Sequence, residues 1–155
     1  MSTCMDSYRE IEHLIYRYAE LIDSGDLNSM ADLFSHAELV GPDGKLMAKG
    51  TEEFLGLQRR AVNINPKTGN PQIKHITTNV IIEVDETIHK ATARSYFTVL
   101  QATDGFALQP IIVGRYHDKF ERVDGQWRFQ QRQSIPDLRG DLSQHLLFDL
   151  NPLET

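Results

Sequence analysis

The chain has 155 residues, of which 40% are hydrophobic and 25% are charged, and its formal net charge at pH 7 is -6. These values are typical of one globular domain that can bury a core by itself, so we treat residues 1–155 as a single domain. An acidic chain is not attracted to phosphate backbones or anionic lipid, so we expect neither nucleic acid nor a membrane as a partner.

Cysteine content and hydropathy narrow the class of protein further. Cys4 is the single cysteine, which excludes an intramolecular disulfide and a metal site with several cysteine ligands. Residues 1–6 are polar and carry no apolar signal segment. No apolar run approaches the roughly 18 residues of a membrane span. We therefore expect a cytoplasmic protein.

Helical periodicity marks the first part of the chain. Asp6 or Ser7 can cap a first helix that runs to Ser24 and ends at Gly25. The apolar residues of this stretch recur on one helical face, and they are Ile11, Leu14, Ile15, Tyr18 and Ile22. A second, shorter helix is predicted from about Leu27 to Phe34. Two helices therefore precede the first strand.

A short strand pair and a third helix follow. Residues 38–40 are predicted to form a strand, and the Gly-Pro-Asp-Gly sequence at 41–44 is typical of a turn. Residues 46–48 are predicted to pair back across that turn. A third helix runs from Thr51 to about Val62, and its early acidic residues favour the positive end of the helix dipole. The Asn-, Pro- and Gly-containing stretch at 63–71 is predicted to be a loop.

The second half of the chain changes to strand periodicity. Four segments are rich in β-branched and aromatic residues: Ile73–Val84, Ala91–Gln101, Phe106–Arg122 and Trp127–Ile135. Asp104-Gly105 and Asp124-Gly125 are strong hairpin signals, so an antiparallel meander is predicted. Helices followed by a meander indicate an α+β fold with the helices on one face of a long, twisted sheet.

Strand alternation assigns side chains to the two faces of this sheet. Along the first long strand, His75, Thr77, Asn79 and Ile81 are predicted to share one face. Both faces contain apolar residues, so one side is expected to hold the ligand and the other to contact a second copy of the chain. We expect a homodimer or a homotrimer.

A leucine-rich tail ends the sequence. After a polar hinge at 136–140, leucines recur at helical spacing, at Leu142, Leu146, Leu147 and Leu150. This spacing predicts a short amphipathic helix, which is too short to be stable unless it docks on the rest of the protein.

Several short motifs occur in a characteristic order. They are Tyr16–Asp23, Asp26, Ala31–Phe34, Lys49-Gly50, His75–Asn79, Gly114–Asp118, Gly125–Phe129 and Arg132. Over roughly Ser7 to Leu147 the chain resembles the SnoaL-like branch of the nuclear-transport-factor-2-like superfamily, which includes polyketide cyclases, scytalone dehydratase and bile-acid dehydratase. It also resembles the small subunits of ring-hydroxylating dioxygenases. The resemblance implies a cone-shaped α+β barrel, in which a curved antiparallel sheet wraps around N-terminal helices and encloses a small apolar ligand.

The resemblance also implies a catalytic histidine–aspartate pair, which falls on His75 and Asp23 here. A neutral histidine held by a carboxylate is a good general base, because the carboxylate fixes its tautomer and stabilises the imidazolium. Tyr18 is the expected electrophile. Helix geometry instead puts Tyr16, seven residues before Asp23, on the aspartate's face, so which tyrosine meets the cavity stays open. An ordinary helix-end aspartate and a hydrogen-bonded strand histidine are the structural alternatives.

Further residues are candidates for the ligand-binding walls and anchors. They are Tyr16, Asn79, Phe97, Val99, Arg115, Trp127 and Arg132. In relatives the C-terminal segment closes the pocket, so the tail at 137–155 is expected either to act as a lid or to seal the bottom of the sheet.

The sequence contains no close histidine pair of a metal site, no glycine-rich phosphate loop and no GxSxG elbow. We therefore expect neither a metal nor a cofactor. The predicted function is that of a lyase or isomerase that dehydrates, isomerises or cyclises an apolar ring compound such as a steroid, polyketide or aromatic. The alternatives are a non-catalytic scaffold like a dioxygenase small subunit, and a small-molecule-binding protein without turnover.

Overall fold

A computed structural model describes residues 4–148, and within them the helices and strands follow one another in the predicted order. The helices are α1 (Cys4–Ser24), α2 (Leu27–Asp32) and α3 (Gly50–Ala61). The strands are β1 (Glu38–Val40), β2 (Leu46–Lys49), β3 (Ile73–Asp85), β4 (Lys90–Thr103), β5 (Phe106–Val123) and β6 (Gln126–Arg139). The α+β class is therefore confirmed.

The helices form where the sequence supplies an apolar face and end signals. The predicted face of α1 is buried, with Ile11 and Ile15 no more than 1% exposed. Gly25 ends α1 because it adopts a φ of +83°, in the left-handed region that disfavours other residues. Asp26 then caps α2, since its carboxylate accepts a hydrogen bond from the Ser29 N–H at 3.0 Å. This cap fixes the angle between the two helices.

The six strands form one curved sheet in the order β2-β1-β6-β5-β4-β3. All neighbouring pairs are antiparallel except β1 and β6, which run parallel. The expected antiparallel barrel is therefore corrected to an open, mixed sheet. It is open because β2 and β3 are its edge strands within residues 4–148 and do not pair with each other.

A β-bulge in β3 changes the face that each side chain occupies. The register with β4 shifts between Thr78 and Ile81, and Asn79 adopts a φ of +54°. Beyond the bulge Val80 and Ile82 pack against the core, while Asn79 and Ile81 are exposed. The prediction that Asn79 and Ile81 share one face of the sheet with His75 was wrong, because the additional residue reverses the alternation.

The predicted hinge at 136–140 is mostly strand, because β6 continues to Arg139. Pro136 lacks an N–H donor, yet a strand tolerates it here for two reasons. It lies opposite Gly114 next to a register shift, and β1 pairs with β6 only as far as Gln133. Beyond Gln133, the side of β6 that faces away from β5 has no partner strand among the described residues.

Residues 141–148 do not form the predicted amphipathic helix. They make a single turn, in which the N–H groups of His145 and Leu146 both donate to the Leu142 carbonyl at 3.0 Å. Leu146 then forms an antiparallel bridge with Val62. The helix prediction was wrong because the backbone pairs with the chain after α3 instead of continuing its own turn. Leu150 lies outside the described residues.

None of the helices within residues 4–148 has the length and apolar character needed to cross a lipid bilayer.

Gly114 allows β5 and β6 to approach each other, which leads to a prediction about packing. A Cβ at this position would clash with the Ile135 carbonyl oxygen and lie 2.7 Å from Phe97 Cζ. We expect Gly114→Ala to lower the free energy of unfolding by about 2 kcal/mol, because overpacking displaces a buried ring and a strand. Urea unfolding measures this change.

Gly56 in α3 offers the matched control. A Cβ there meets only the flexible end of Arg60, at 3.3 Å from Nη1. Gly56→Ala should leave stability unchanged or raise it by up to about 1 kcal/mol, because alanine favours helix. Equal stability of Gly114→Ala and the wild type would contradict the proposed close approach.

Candidate active site

His75 and Asp23 form a buried contact between the end of α1 and the start of β3. His75 Nδ1 lies 2.7 Å from Asp23 Oδ1, and the His75 backbone N–H donates to Asp23 Oδ2 at 2.9 Å. Both side chains are 6% exposed. A carboxylate beside Nδ1 favours the tautomer with the proton on Nδ1, which leaves the lone pair on Nε2. The arrangement therefore has the geometry of an oriented general base.

The pair borders a groove of about 680 Å³ between α1 and β3. Polar and charged side chains that line the groove include Tyr16, Arg17, Glu20, Asn70 and Lys74. Tyr16 is 39% exposed, and its hydroxyl donates to Glu12 at 3.4 Å. Tyr16 thus meets the pair from the solvent side.

Tyr18 meets the pair from the interior. It is 8% exposed, and its ring lies edge-on to the His75 ring with centroids 6.1 Å apart. Its ring also contacts Tyr116, with centroids 6.0 Å apart. Burial raises the pKa of Tyr18, so its hydroxyl remains protonated at neutral pH and can donate a hydrogen bond. Of the two tyrosines, Tyr18 is the one in the core.

A buried ion pair lies beneath these rings. Arg132 donates from Nε and Nη2 to the two carboxylate oxygens of Asp118, each at 2.8 Å, and the side chains are 1% and 0% exposed. The guanidinium also lies 3.8 Å from the Tyr116 ring centroid and 4.4 Å from that of Tyr18. Burial alone would lower the pKa of Arg132, but the Asp118 carboxylate outweighs it and the pKa is raised. Arg132 is therefore a permanent interior cation.

Phe97, Val99 and Trp127, three of the candidate wall residues, are all buried in the core, and none of them lines the groove. Phe97 stacks on Tyr116 with centroids 4.4 Å apart. Phe97 and Val99 are the register partners of Thr77 and His75, so these two lie in the interior near the pair, whereas Trp127 lies opposite Arg122 toward the other end of the sheet.

Arg115 and Asn79 are not brought to the pair. Arg115 precedes the inward Tyr116, so strand alternation turns it to the outer face, where it binds Asp137 at 2.9 and 3.0 Å. Asn79 is exposed in the β3 bulge. The structure therefore places neither of these two candidate ligand-binding residues beside the His75–Asp23 pair.

Three interior residues of this region were not among the sequence candidates: Tyr116, Asp118 and His145. Alternation along β5 with Phe120, which is buried, could have identified Tyr116 and Asp118 as inward. His145 had no comparable signal, because its buried position depends on a turn that only the folded chain defines.

His145 is 8% exposed. Burial, together with the neighbouring His75, lowers the pKa of His145 to about 4, while Asp23 opposes the shift. The ring is therefore neutral at pH 7. No group of three or more His, Cys, Asp or Glu side chains within residues 4–148 is arranged to hold a metal ion.

Comparisons with known proteins agree with this architecture. The family model described as a SnoaL-like domain matches residues 4–133. No functionally curated protein matches the sequence.

Three solved structures illustrate the range of similar proteins. A protein of unknown function from Mycobacterium tuberculosis is 27% identical, with a TM-score of 0.67 over 84% of this chain and 72% of that one. A putative scytalone dehydratase from Novosphingobium aromaticivorans is 21% identical, with a TM-score of 0.70 over 97% and 95%. The beta subunit of a putative aromatic-ring-hydroxylating dioxygenase from the same organism is 16% identical, with a TM-score of 0.68 over 91% and 96%.

The buried His145 ring should make the protein sensitive to acid. Because the native state disfavours the protonated ring, the unfolded state binds this proton more readily, and stability falls as pH drops from about 6.5 to about 4. The loss from this one ring is roughly 3 kcal/mol by pH 4. In urea unfolding between pH 7 and pH 4, the free energy of unfolding should fall less steeply in His145→Gln than in the wild type.

His36→Gln is the control, because His36 is exposed. Its free energy of unfolding should fall with pH as steeply as that of the wild type. Hydrogen bonds from the Ser29 backbone and from the Arg115 side chain lower the pKa of Asp26 and Asp137. These carboxylates lose their contributions at low pH in all three proteins alike. Identical slopes for His145→Gln and the wild type would contradict this role of the buried ring.

Proposed function

Because the chain belongs to the SnoaL-like domain family, we propose that it is a cytoplasmic enzyme that acts without a cofactor on an apolar ring compound. The substrate class is a steroid, a polyketide or an aromatic compound, and the reaction is a dehydration, an isomerisation or a cyclisation. The observation that carries this proposal is the 2.7 Å contact between His75 Nδ1 and Asp23 Oδ1, with 6% exposure of each side chain.

The proposed reaction begins with proton transfer to His75 Nε2. The base takes a proton from the carbon next to a carbonyl group, and the C–H electron pair moves toward that carbonyl. Tyr18 donates a hydrogen bond to the carbonyl oxygen as negative charge develops there. Asp23 stabilises the imidazolium that forms. In a dehydration the imidazolium returns its proton to a leaving hydroxyl on the adjacent carbon, and water departs as the C=C bond forms.

Two features support an uncharged ring compound as the ligand class. The groove that contains the pair has a volume of about 680 Å³, which is in the range of small-molecule sites. On the interior side of His75, Tyr18 lies edge-on to its ring and Phe97 stacks face to face on Tyr116; these rings belong to the core, and the lining of the groove itself is mostly polar and charged. Aromatic surfaces bind planar apolar rings favourably.

A non-catalytic scaffold is the second candidate. The observation that favours it is the similarity to a dioxygenase beta subunit over 91% of this chain. A scaffold does not require a buried histidine whose ring and backbone N–H both contact one carboxylate, so the His75–Asp23 contact favours the enzyme.

The test of the enzymatic proposal is solvent deuterium exchange. The protein is incubated in D2O with steroid ketones, hydroxylated naphthalenones and aryl ketones, and mass spectrometry detects the gain of deuterium next to the carbonyl or the loss of water. We expect His75→Gln to lower the rate by about a hundredfold or more, because the general base is lost. Tyr18→Phe should lower it by about a hundredfold, because one donor to the developing oxyanion is lost.

His36→Gln is the matched control, since His36 is exposed, and it should keep the wild-type rate. If the wild type catalyses neither exchange nor water loss with any of these compounds, the scaffold is favoured. If His75→Gln retains the wild-type rate, the assigned base is wrong.

We also propose that copies of the chain associate through the outer face of the sheet. Large apolar side chains are at least 41% exposed along β3 to β6, at Ile76, Ile81, Tyr96, Leu108 and Leu138. A contact over this face would remove them from water in a homodimer or a homotrimer that buries more than about 1,200 Å².

Light scattering at micromolar concentration tests this assembly. We expect a dimer or trimer for the wild type and a monomer for Tyr96→Glu, because a buried unpaired carboxylate opposes association. Met5→Glu, at a residue 66% exposed on α1, should keep the wild-type mass. A monomeric wild type would contradict the proposal.

A further inference from the structure

The chain after β6 is fastened to the end of α3. Two backbone hydrogen bonds hold it: the Asn63 N–H donates to the His145 carbonyl at 2.8 Å, and the Leu147 N–H donates to the Ala61 carbonyl at 2.9 Å; together they form the antiparallel bridge between Leu146 and Val62. We call residues 141–147 the C-terminal segment. Its position is therefore defined by the fold, even though it contains no helix within residues 141–148.

The same segment reaches the end of the sheet that carries His75. Gln101 Nε2 donates to the Gln144 carbonyl at 3.3 Å, next to His145 in sequence. Gln101 follows Val99 on the inward face of β4, and Val99 is the register partner of His75. The C-terminal segment thus brings His145 to the same end of the core as the His75–Asp23 pair.

Several buried polar atoms at this end have no hydrogen-bond partner among residues 4–148. Two of them are His145 Nδ1 and Gln101 Oε1, on residues that are 8% and 1% exposed. A buried polar atom left unpaired destabilises a protein, so such atoms usually mark a place where a water or a ligand binds. Neither atom has a role in the His75–Asp23 contact.

We propose that His145 is a ligand-binding residue of the His75–Asp23 site, and that its Nδ1 hydrogen-bonds an uncharged hydroxyl or carbonyl oxygen of the ring compound. This inference rests on the proposed function and adds a feature of the substrate. Besides the carbonyl group that Tyr18 binds, the substrate carries a second oxygen on the side that faces the C-terminal segment. The C-terminal segment then forms one wall of the site. His145 is the residue through which this part of the expected lid would contact the ligand.

The electrostatics of the ring favour a neutral partner. Burial and the nearby His75 lower the pKa of His145 to about 4, while Asp23 acts in the opposite direction. At pH 7 the ring carries no charge, so it offers one donor and one acceptor. A carboxylate ligand would find no cation at this position and would lie near the negative charge of Asp23.

The test uses two probes that differ by one oxygen, 2-naphthol and naphthalene. NMR at pH 7 follows the ring signals of His75 and His145 in the full-length wild type, with assignments from His75→Gln and His145→Gln. We expect 2-naphthol to shift both histidines in a saturable manner. In His145→Phe the dissociation constant for 2-naphthol should rise about tenfold, since one hydrogen bond is lost, and that for naphthalene should change less than twofold. His117→Phe, at an exposed position on β5, should bind both probes as the wild type does.

The outcomes separate this inference from the proposed function. If 2-naphthol shifts His75 but not His145, or binds His145→Phe as tightly as the wild type, His145 is not a ligand contact and the proposed base stands. If neither histidine responds to either probe, both proposals lose support. The wild-type shifts decide the question even if His145→Phe fails to fold.

Discussion

Both carboxylate oxygens of Asp23 are engaged by one residue, through the backbone N–H and the ring of His75. This double contact joins the last turn of α1 to the first residues of β3, which are far apart in the sequence. It fixes the imidazole without using Nε2. The fold and the candidate chemistry depend on the same contact, because removing the carboxylate would free both the helix end and the ring.

The interior is held by a second charged contact of a different kind. Removing Arg132 and Asp118 from water is costly, and their mutual attraction offsets that cost only because the geometry is bidentate and the side chains are fully buried. The Tyr18 and Tyr116 rings against the guanidinium extend this network toward His75. Breaking one partner would leave an uncompensated interior charge. Within this network, Tyr18 is the residue that α1 contributes.

Local signals predicted most of the fold, and contacts between distant residues account for what was missed. Asp124-Gly125 predicted its hairpin because both residues adopt positive φ, at +52° and +78°. The His75–Asp23 contact followed from the resemblance, whereas the pairing of Asp118 with Arg132 required the register of β5 with β6. The bulge at Asn79 has no glycine or proline to mark it, and the position of His145 depends on pairing with the chain after α3. Periodicity cannot detect either feature.

The bulge in β3 also has a consequence for solubility. β3 is an edge strand of 13 residues, and a long straight edge is a template for strand addition by another chain. Asn79 interrupts the regular spacing of N–H and C=O groups midway along that edge and increases the local twist. An incoming strand could pair with only about half of β3 in register. The same irregularity that excludes Asn79 from the core therefore protects the exposed edge against edge-to-edge aggregation.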